Sequence, residues 1–329
     1  MNILNKKARY DVLGIGSALL DFIVPVDDAD LDAFGLKKGE MQLVDESRSR
    51  EILSRLAGRE MQIAPGGSSA NTLAGIAMLG GQSVFLGTVG TDEHGDRYIR
   101  DTEMIGVKAE ISRHDSMTGH AITFITPDSE RTFATHLGAA LHFGSANVSE
   151  ELILKSKIIH LEGYLFEPPA LREACMRALD IAKKNEVMVS IDLSDPALIE
   201  RIRPVFNEVT RDYADIIFVN EDEAKAFTGR EREDALHEIY SLCDFAVVKL
   251  GADGSLIETN DTVYRIPSIR TDVVNTNGAG DIYAAGVLYG IASGMRADRA
   301  GKIGSYISSR VVSQVGARLP GKISIRAVS

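Results

Sequence analysis

Residues 273–281 read Val273-Val274-Asn275-Thr276-Asn277-Gly278-Ala279-Gly280-Asp281, and a helical pattern continues from 282 to 294. Small residues just ahead of a helix leave successive backbone N–H groups bare and aimed at one spot, and the helix dipole adds partial positive charge there. The stretch is therefore a candidate anion site. Side chains on its glycines would fill the space an anion needs. Asp281, on the first turn, is placed to take a proton from a hydroxyl docked against the same spot. Alone, the string reads equally well as an ordinary glycine turn with an acid at a helix start.

The flanking chain supplies the frame such a turn requires. Runs rich in Val, Ile, Leu and Phe at 10–15, 84–89, 158–161, 188–192, 216–220 and 245–250 show no polar alternation. That is the pattern of strands covered on both faces of a parallel sheet. Helical patterns at 69–79, 96–105, 170–184, 221–227 and 234–241 fall between them. The β-then-α rhythm predicts an α/β fold, a doubly wound and mostly parallel sheet with right-handed crossovers. Two stretches, 22–44 and 107–136, break it. Ala121-Ile122-Thr123-Phe124-Ile125-Thr126 alternates as a half-exposed strand does. The two stretches are expected to pack together as a small β-sheet lid, with 1–21, 45–106 and 137–329 forming the core.

The chain has 329 residues, 44% of them hydrophobic, which excludes a disordered or collagen-like protein. Forty-seven acids against 36 bases leave a charge of −11, so no nucleic-acid partner is expected and any phosphate site must be local. Cys175 and Cys243 are too few for a disulfide framework and point to a reducing cytoplasm. Lys6, Lys7 and Arg9 precede an apolar run at 12–20, but glycines interrupt it and no small-residue cleavage site follows, so it is not read as a signal peptide. The longest uncharged stretch, 61–91, holds Pro65, Asn71 and many glycines and would make a poor membrane span. A cytoplasmic protein without membrane contact is expected.

Four more strings carry chemistry. In Pro65-Gly66-Gly67-Ser68-Ser69-Ala70-Asn71, paired glycines let a ligand approach the backbone, and Asn71 can donate to and accept from a polyhydroxylated molecule. A tight turn with a serine cap reads the same string without function. Asp21, after Gly16-Ser17-Ala18-Leu19-Leu20, stands where a strand of an open α/β sheet ends and could clamp two vicinal hydroxyls. Gly14-Ile15-Gly16 hints at a dinucleotide fingerprint, but Leu19 occupies the third glycine position and no helix is expected after Asp21. Asn220 and Glu223, three apart at a helix start, could hold a hydrated Mg²⁺ through its waters, or simply be an acidic first turn. Lys249-Leu250-Gly251-Ala252-Asp253-Gly254 spaces glycines for a nucleotide, or turns a hairpin. A fifth string, Gly316-Ala317-Arg318-Leu319-Pro320-Gly321-Lys322, has P-loop spacing but continues with Ile323 and leaves too few residues for the required helix. It is not read as a P-loop. The seven histidines form no metal-binding pair at helical spacing, and no serine-hydrolase elbow occurs.

These strings, in this order, resemble the ribokinase-like (PfkB) carbohydrate kinase family over about residues 10–320. Within it, Leu19-Leu20-Asp21, Gly35-Leu36-Lys37 and Asp192-Leu193-Ser194-Asp195-Pro196 are most similar to the adenosine kinase branch. The resemblance implies an ATP- and Mg²⁺-dependent kinase with a doubly wound core and a β lid. It implies Asp281 as the base and the amides of Gly278, Ala279 and Gly280 as an anion hole. Asp21, Gly66, Gly67 and Asn71 would hold sugar hydroxyls, and Arg131 would close over the phosphates. Asn220, Lys249, Gly251, Gly254 and Thr276 would serve the nucleotide, with Asn220 and Glu223 on the metal's waters. Asn275 stands where the family usually has Asp, which argues against strong activation by a monovalent cation. The expected substrate is a ribose-bearing small molecule, a nucleoside such as adenosine. The alternatives are a sugar kinase for ribose, fructose or a keto-deoxy sugar acid, and a catalytically silent nucleoside-binding protein. A monomer suits the adenosine branch and a lid-mediated homodimer the sugar branch.

Overall fold

The computed structural model describes residues 8–128, 130–274, 276–314, 316–318, 321–326 and 328. Its strands, in chain order, are β1 (Tyr10–Ile15), β2 (Leu19–Pro25), β3 (Met41–Leu43), β4 (Gln62–Pro65), β5 (Ser83–Gly90), β6 (Lys108–His114) and β7 (Gly119–Ile125). They continue as β8 (Arg131–His136), β9 (Ser156–Glu162), β10 (Met188–Asp192), β11 (Ile216–Asn220), β12 (Phe245–Lys249), β13 (Ser255–Thr259) and β14 (Thr262–Ile266). Nine of them form one sheet in the order β14-β13-β12-β11-β10-β9-β1-β5-β6. All its pairs are parallel except β12–β13 and β13–β14 at one edge. The strands are apolar throughout because helices cover both faces: every residue of β5 and of β10 is buried. The chain builds outward from β1 in one direction through β5 and β6, then in the other from β9. The crevice beyond the carboxyl ends of β1 and β9 is thus a topological switch point, where open α/β sheets bind ligands.

On one face lies the Ala279–Ala292 helix, with ten of its fourteen residues buried. Sheet and neighbouring helices surround it, so its sequence is apolar on nearly all sides. Two close approaches fix it. A Cβ on Gly75, in the Ser68–Met78 helix, would lie 2.5 Å from the Ala285 Cβ, and one on Gly286 would lie 2.5 Å from the Gly304 Cα in the Ala297–Val312 helix. Only glycine allows backbones that near. No helix among the described residues is long and apolar enough to cross a membrane.

The other five strands make a second sheet in the order β3-β8-β7-β2-β4. The membership differs from the sequence reading at three places. Residues 108–114 form β6 of the large sheet, because their backbone continues the parallel ladder from β5. Gln62–Pro65, expected in the core, pairs with β2 in the small sheet. The 22–44 stretch, read as β excursion, holds the helix Asp28–Phe34, whose Leu31 and Phe34 are buried. Asp21 lies within β2 rather than in a loop after the first strand. Register sets the small sheet's inner row: Asp21, Ala121 and Thr135 stand side by side, as do Ile23, Thr123 and Phe133.

The Gly75 contact generates a prediction. Gly75→Val should force the Ser68–Met78 and Ala279–Ala292 helices apart, lowering stability by about 1–3 kcal/mol, the usual cost of overpacking. Urea denaturation of the variant against wild type measures it; an unchanged midpoint would show that the helices are not held at this distance.

Candidate active site

The Ser68–Met78 and Ala279–Ala292 helices begin at the same place, the switch-point crevice. Each is entered through a glycine in a left-handed conformation: Gly67 has φ 91° and Gly278 φ 72°. At Gly67 a Cβ would lie 2.2 Å from the Ser17 carbonyl oxygen, so a side chain is excluded by space as well as by φ. Between the two helix starts sits Asp281. Ser68 Oγ donates to its Oδ1 at 2.8 Å, Asn71 Nδ2 donates to its Oδ2 at 3.0 Å, and Thr72 Oγ1 donates to its backbone carbonyl at 3.1 Å. Burial pushes the Asp281 carboxyl above the ordinary aspartate value, against those side-chain donors. A carboxylate has about four acceptor sites, so two remain for a ligand.

A cleft of about 430 Å³ opens here, bounded by Asp21, Gly67, Asn71, Phe133, Asn220, Glu223, Lys249, Gly251, Gly278, Gly280 and Asp281. Of the three amides expected as an anion hole, that of Ala279 turns back toward the Thr276 carbonyl at 3.2 Å, while Gly278 and Gly280 face the cleft. A second cavity of about 530 Å³ adjoins at Gly278 and is lined by Arg131, Phe133, Thr276 and Val274. Arg131 and Thr276 thus lie one step from the helix start. Asn275 lies outside the described residues, so the monovalent-cation expectation attached to it has no structural counterpart here.

Asp21 projects from β2 over the floor. Burial raises its carboxyl to about 6, with Arg318 and Arg131 pulling it down and Asp281 pushing it up. Gly66 serves it from below: a Cβ there would lie 2.8 Å from both Asp21 oxygens. The carbonyl of Gly66 accepts from the Tyr98 hydroxyl at 3.1 Å and Arg318 Nη2 at 3.0 Å, so this residue braces the turn rather than facing the cleft.

At the far side, Lys249 Nζ donates to Asp192 Oδ2 at 2.7 Å with both side chains nearly buried. Burial disfavours the Lys249 charge, but Asp192 and Glu223 outweigh it and hold the ammonium protonated. It reaches Gly280 as well, where a Cβ would lie 3.3 Å from Nζ. Asn220 and Glu223 form a reciprocal cap: Asn220 Oδ1 accepts from the Glu223 amide at 2.8 Å, and Glu223 Oε2 accepts from the Asn220 amide at 2.7 Å. The acidic-turn reading of that string holds, since the helix start is capped; Glu223 also bounds the cleft, and burial raises its carboxyl. Its oxygens are taken up by Asn220, and among the described residues no group of three or more His, Cys, Asp or Glu could cage a metal. A divalent ion fits here only through its water shell or a ligand's phosphates. Gly254 points elsewhere: it closes the β12–β13 hairpin with φ 94°, and a Cβ there would strike the Ile266 carbonyl at 2.0 Å.

Several residues escaped the sequence reading. Glu162, at the end of β9, is 2% exposed and accepts from the amides of Ser17 and Ser69 at 2.8 Å each, tying both loops beneath the cleft. Burial lifts its carboxyl to about 7. Asp192, Ser68, Phe133 and Arg318 were not given roles either. Their partners lie tens to hundreds of residues away, and no local spacing announces them.

The residues 28–323 match the model of the pfkB family carbohydrate kinases. The crystal structure of adenosine kinase from Sinorhizobium meliloti superposes with a TM-score of 0.89 at 34% identity, covering 97% of this chain and 99% of that one. A probable sugar kinase from Rhizobium etli CFN 42 superposes equally, TM-score 0.89 at 33% identity, covering 96% of each. The 5-dehydro-2-deoxygluconokinase of Bacillus licheniformis is 29% identical over 269 residues, 76% of this chain and 81% of that protein. The chain belongs to the pfkB family of carbohydrate kinases, ATP-dependent phosphotransferases that act on a hydroxyl group.

Proposed function

We propose that this kinase transfers the γ-phosphoryl group of ATP to a primary hydroxyl of a ribose-bearing substrate, a nucleoside such as adenosine. The observation that carries the reading is the pair of surfaces enclosing the cleft. Its floor offers Asp281 and the open helix start. Its roof, the small sheet, offers one carboxylate, Asp21, and the Phe133 ring, from adjacent rows in which Ala121 and Thr135 stand beside Asp21, and Ile23 and Thr123 beside Phe133. A sugar's hydroxyls suit Asp21, and a flat base suits the Phe133 ring.

In the proposed reaction Asp281 takes the proton of the acceptor hydroxyl as its oxygen attacks the γ-phosphorus. The bond from that phosphorus to the β–γ bridging oxygen breaks, and ADP leaves with the electron pair. The Gly278 and Gly280 amides and Lys249 face the charge that spreads over the moving group, which is the main task in phosphoryl transfer. Arg131, half-buried on the roof, would close over the phosphates, with Thr276 and Gly251 beside the nucleotide. Asn220 and Glu223 would hold the water shell of Mg²⁺, which supplies neutralisation of phosphate charge when bound. The small sheet would act as a lid that keeps water from competing as acceptor.

A second reading, phosphorylation of a keto-deoxy sugar acid, is favoured by the name of the Bacillus licheniformis relative. An ADP-release assay with Mg-ATP across adenosine, other nucleosides, ribose, fructose and 5-dehydro-2-deoxygluconate separates the two. The highest kcat/KM is expected for a nucleoside; a sugar acid in that place would overturn the substrate assignment, and no ADP from any acceptor would indicate a silent binding protein.

Asp281→Asn should lower kcat by about 10²- to 10⁴-fold, the usual weight of a general base, while leaving ATP binding intact by calorimetry. Because burial raises the Asp281 carboxyl, its basic form is lost on acidification at a pH above the ordinary aspartate value of about 3.9. The acid limb of wild-type kcat/KM should therefore lie above that value and vanish from the residual activity of the variant.

A further inference from the structure

Ala317 and Arg318, from the string rejected as a P-loop, lie against the site. Ala317 packs on the anion turn, so closely that a Cβ on Gly278 would be 2.4 Å from its own. Arg318 reaches the other way, to the turn at Gly66. Its Nη2 donates to the Gly66 carbonyl at 3.0 Å and its Nε to Asn71 Oδ1 at 3.0 Å. Two consecutive residues, Ala317 and Arg318, thus bridge the two helix entrances whose side chains meet at Asp281.

An asparagine amide has nearly the same shape in both orientations, so its partners decide which end faces which. Guanidinium carries donors only, and an ionised carboxylate accepts only. With Arg318 on one side of Asn71 and Asp281 on the other, one orientation satisfies both. Oxygen faces Arg318, and Nδ2 faces Asp281. Without the guanidinium only the Asp281 carboxylate holds that orientation, and a flipped amide, with its oxygen toward Asp281, would suit the protonated acid instead.

We propose that Arg318 is a positioning residue for phosphoryl transfer: its fork on Asn71 Oδ1 and the Gly66 carbonyl locks the Asn71 amide with Nδ2 on Asp281 and holds the two turns together. This rests on the reading of Asp281 as the base. A hydrogen bond donated to the ionised carboxylate favours that form, so the lock keeps Asp281 basic despite its burial. The other charged groups acting on this region are Asp21, Arg131, Glu162, Asp192 and Lys249, each from a different strand, with the Tyr98 hydroxyl on the same Gly66 carbonyl, and they are left unchanged in the test.

The test is the pH profile of kcat/KM for the full chain with Mg-ATP, using as acceptor whichever of adenosine or 5-dehydro-2-deoxygluconate it turns over faster. Arg318→Ala should move the acid limb upward by about one pH unit, about a tenfold loss of kcat/KM below it. Asn71→Ala should move it similarly, and the double variant no further, because the two act in series. Arg318→Lys keeps the charge but lacks the planar fork; it should retain a clear part of the shift, and it carries the test if the alanine variant does not fold. The proposal is overturned if the limb stays put while only melting temperature falls, if the Arg318 and Asn71 effects add, or if lysine restores the wild-type limb. Asp281→Asn separates the two levels. If that variant is nearly inactive and the Arg318 limb is unmoved, this inference alone fails; if it works at the wild-type rate, the base assignment fails and takes this inference with it.

Discussion

Two helix entrances, brought together from positions 213 residues apart in the chain, share one buried carboxylate between them. Everything at the site is arranged around that encounter. Ser68 and Asn71 come from one entrance and Asp281 from the other, and the helices behind them are kept in contact by the absence of a side chain at Gly75. The crossing is a packing solution with an electrostatic purpose. Bringing a carboxylate out of water is costly unless donors meet it, and here the donors arrive only if both helices start at the same point.

The same logic extends around the cleft. Asp21, Glu162, Glu223 and Asp281 are all pushed toward their neutral forms by burial. Against them stand Lys249, paired with Asp192, and the guanidinium groups of Arg131 and Arg318. Such a collection of acids is a poor home for bare phosphates and a good one for phosphates that bring a divalent cation. In the proposed reaction the glycine amides and Lys249 would meet the phosphoryl group, and the acids would meet the metal's water and the acceptor's hydroxyls. In the same proposal the acceptor end would rest on the small sheet, beside Asp21 and Phe133. Relatives with nucleoside and with sugar-acid names are thus compatible with one chemical floor beneath different roofs.

How much of this was legible in the sequence follows from how local each cause is. The six central strands announced themselves because burial on both faces demands continuous apolar runs. The turn at 278–281 was legible because left-handed backbone and close approach both call for small residues in sequence order. The small sheet was harder. Gln62–Pro65 has four residues and no alternation to speak of, and only its partner β2 makes it a strand. The Ala297–Val312 helix escaped because Gly301 and Gly304 look like loop residues; they are glycine because Ile266 and Tyr283 press against the helix there. Arg318 and Glu162 were invisible for a plainer reason. Each is defined by distant partners, Glu162 by Ser17 145 residues away and Arg318 by Asn71 247 residues away.

A crystal structure of the kinase with its acceptor and a non-hydrolysable ATP analogue tests the central claim most directly. The account requires the acceptor's primary hydroxyl within hydrogen-bond distance of an Asp281 carboxylate oxygen, with the terminal phosphate between that hydroxyl and the Gly278 and Gly280 amides. An acceptor hydroxyl bound away from Asp281, with the terminal phosphate out of reach of that helix start, would contradict it.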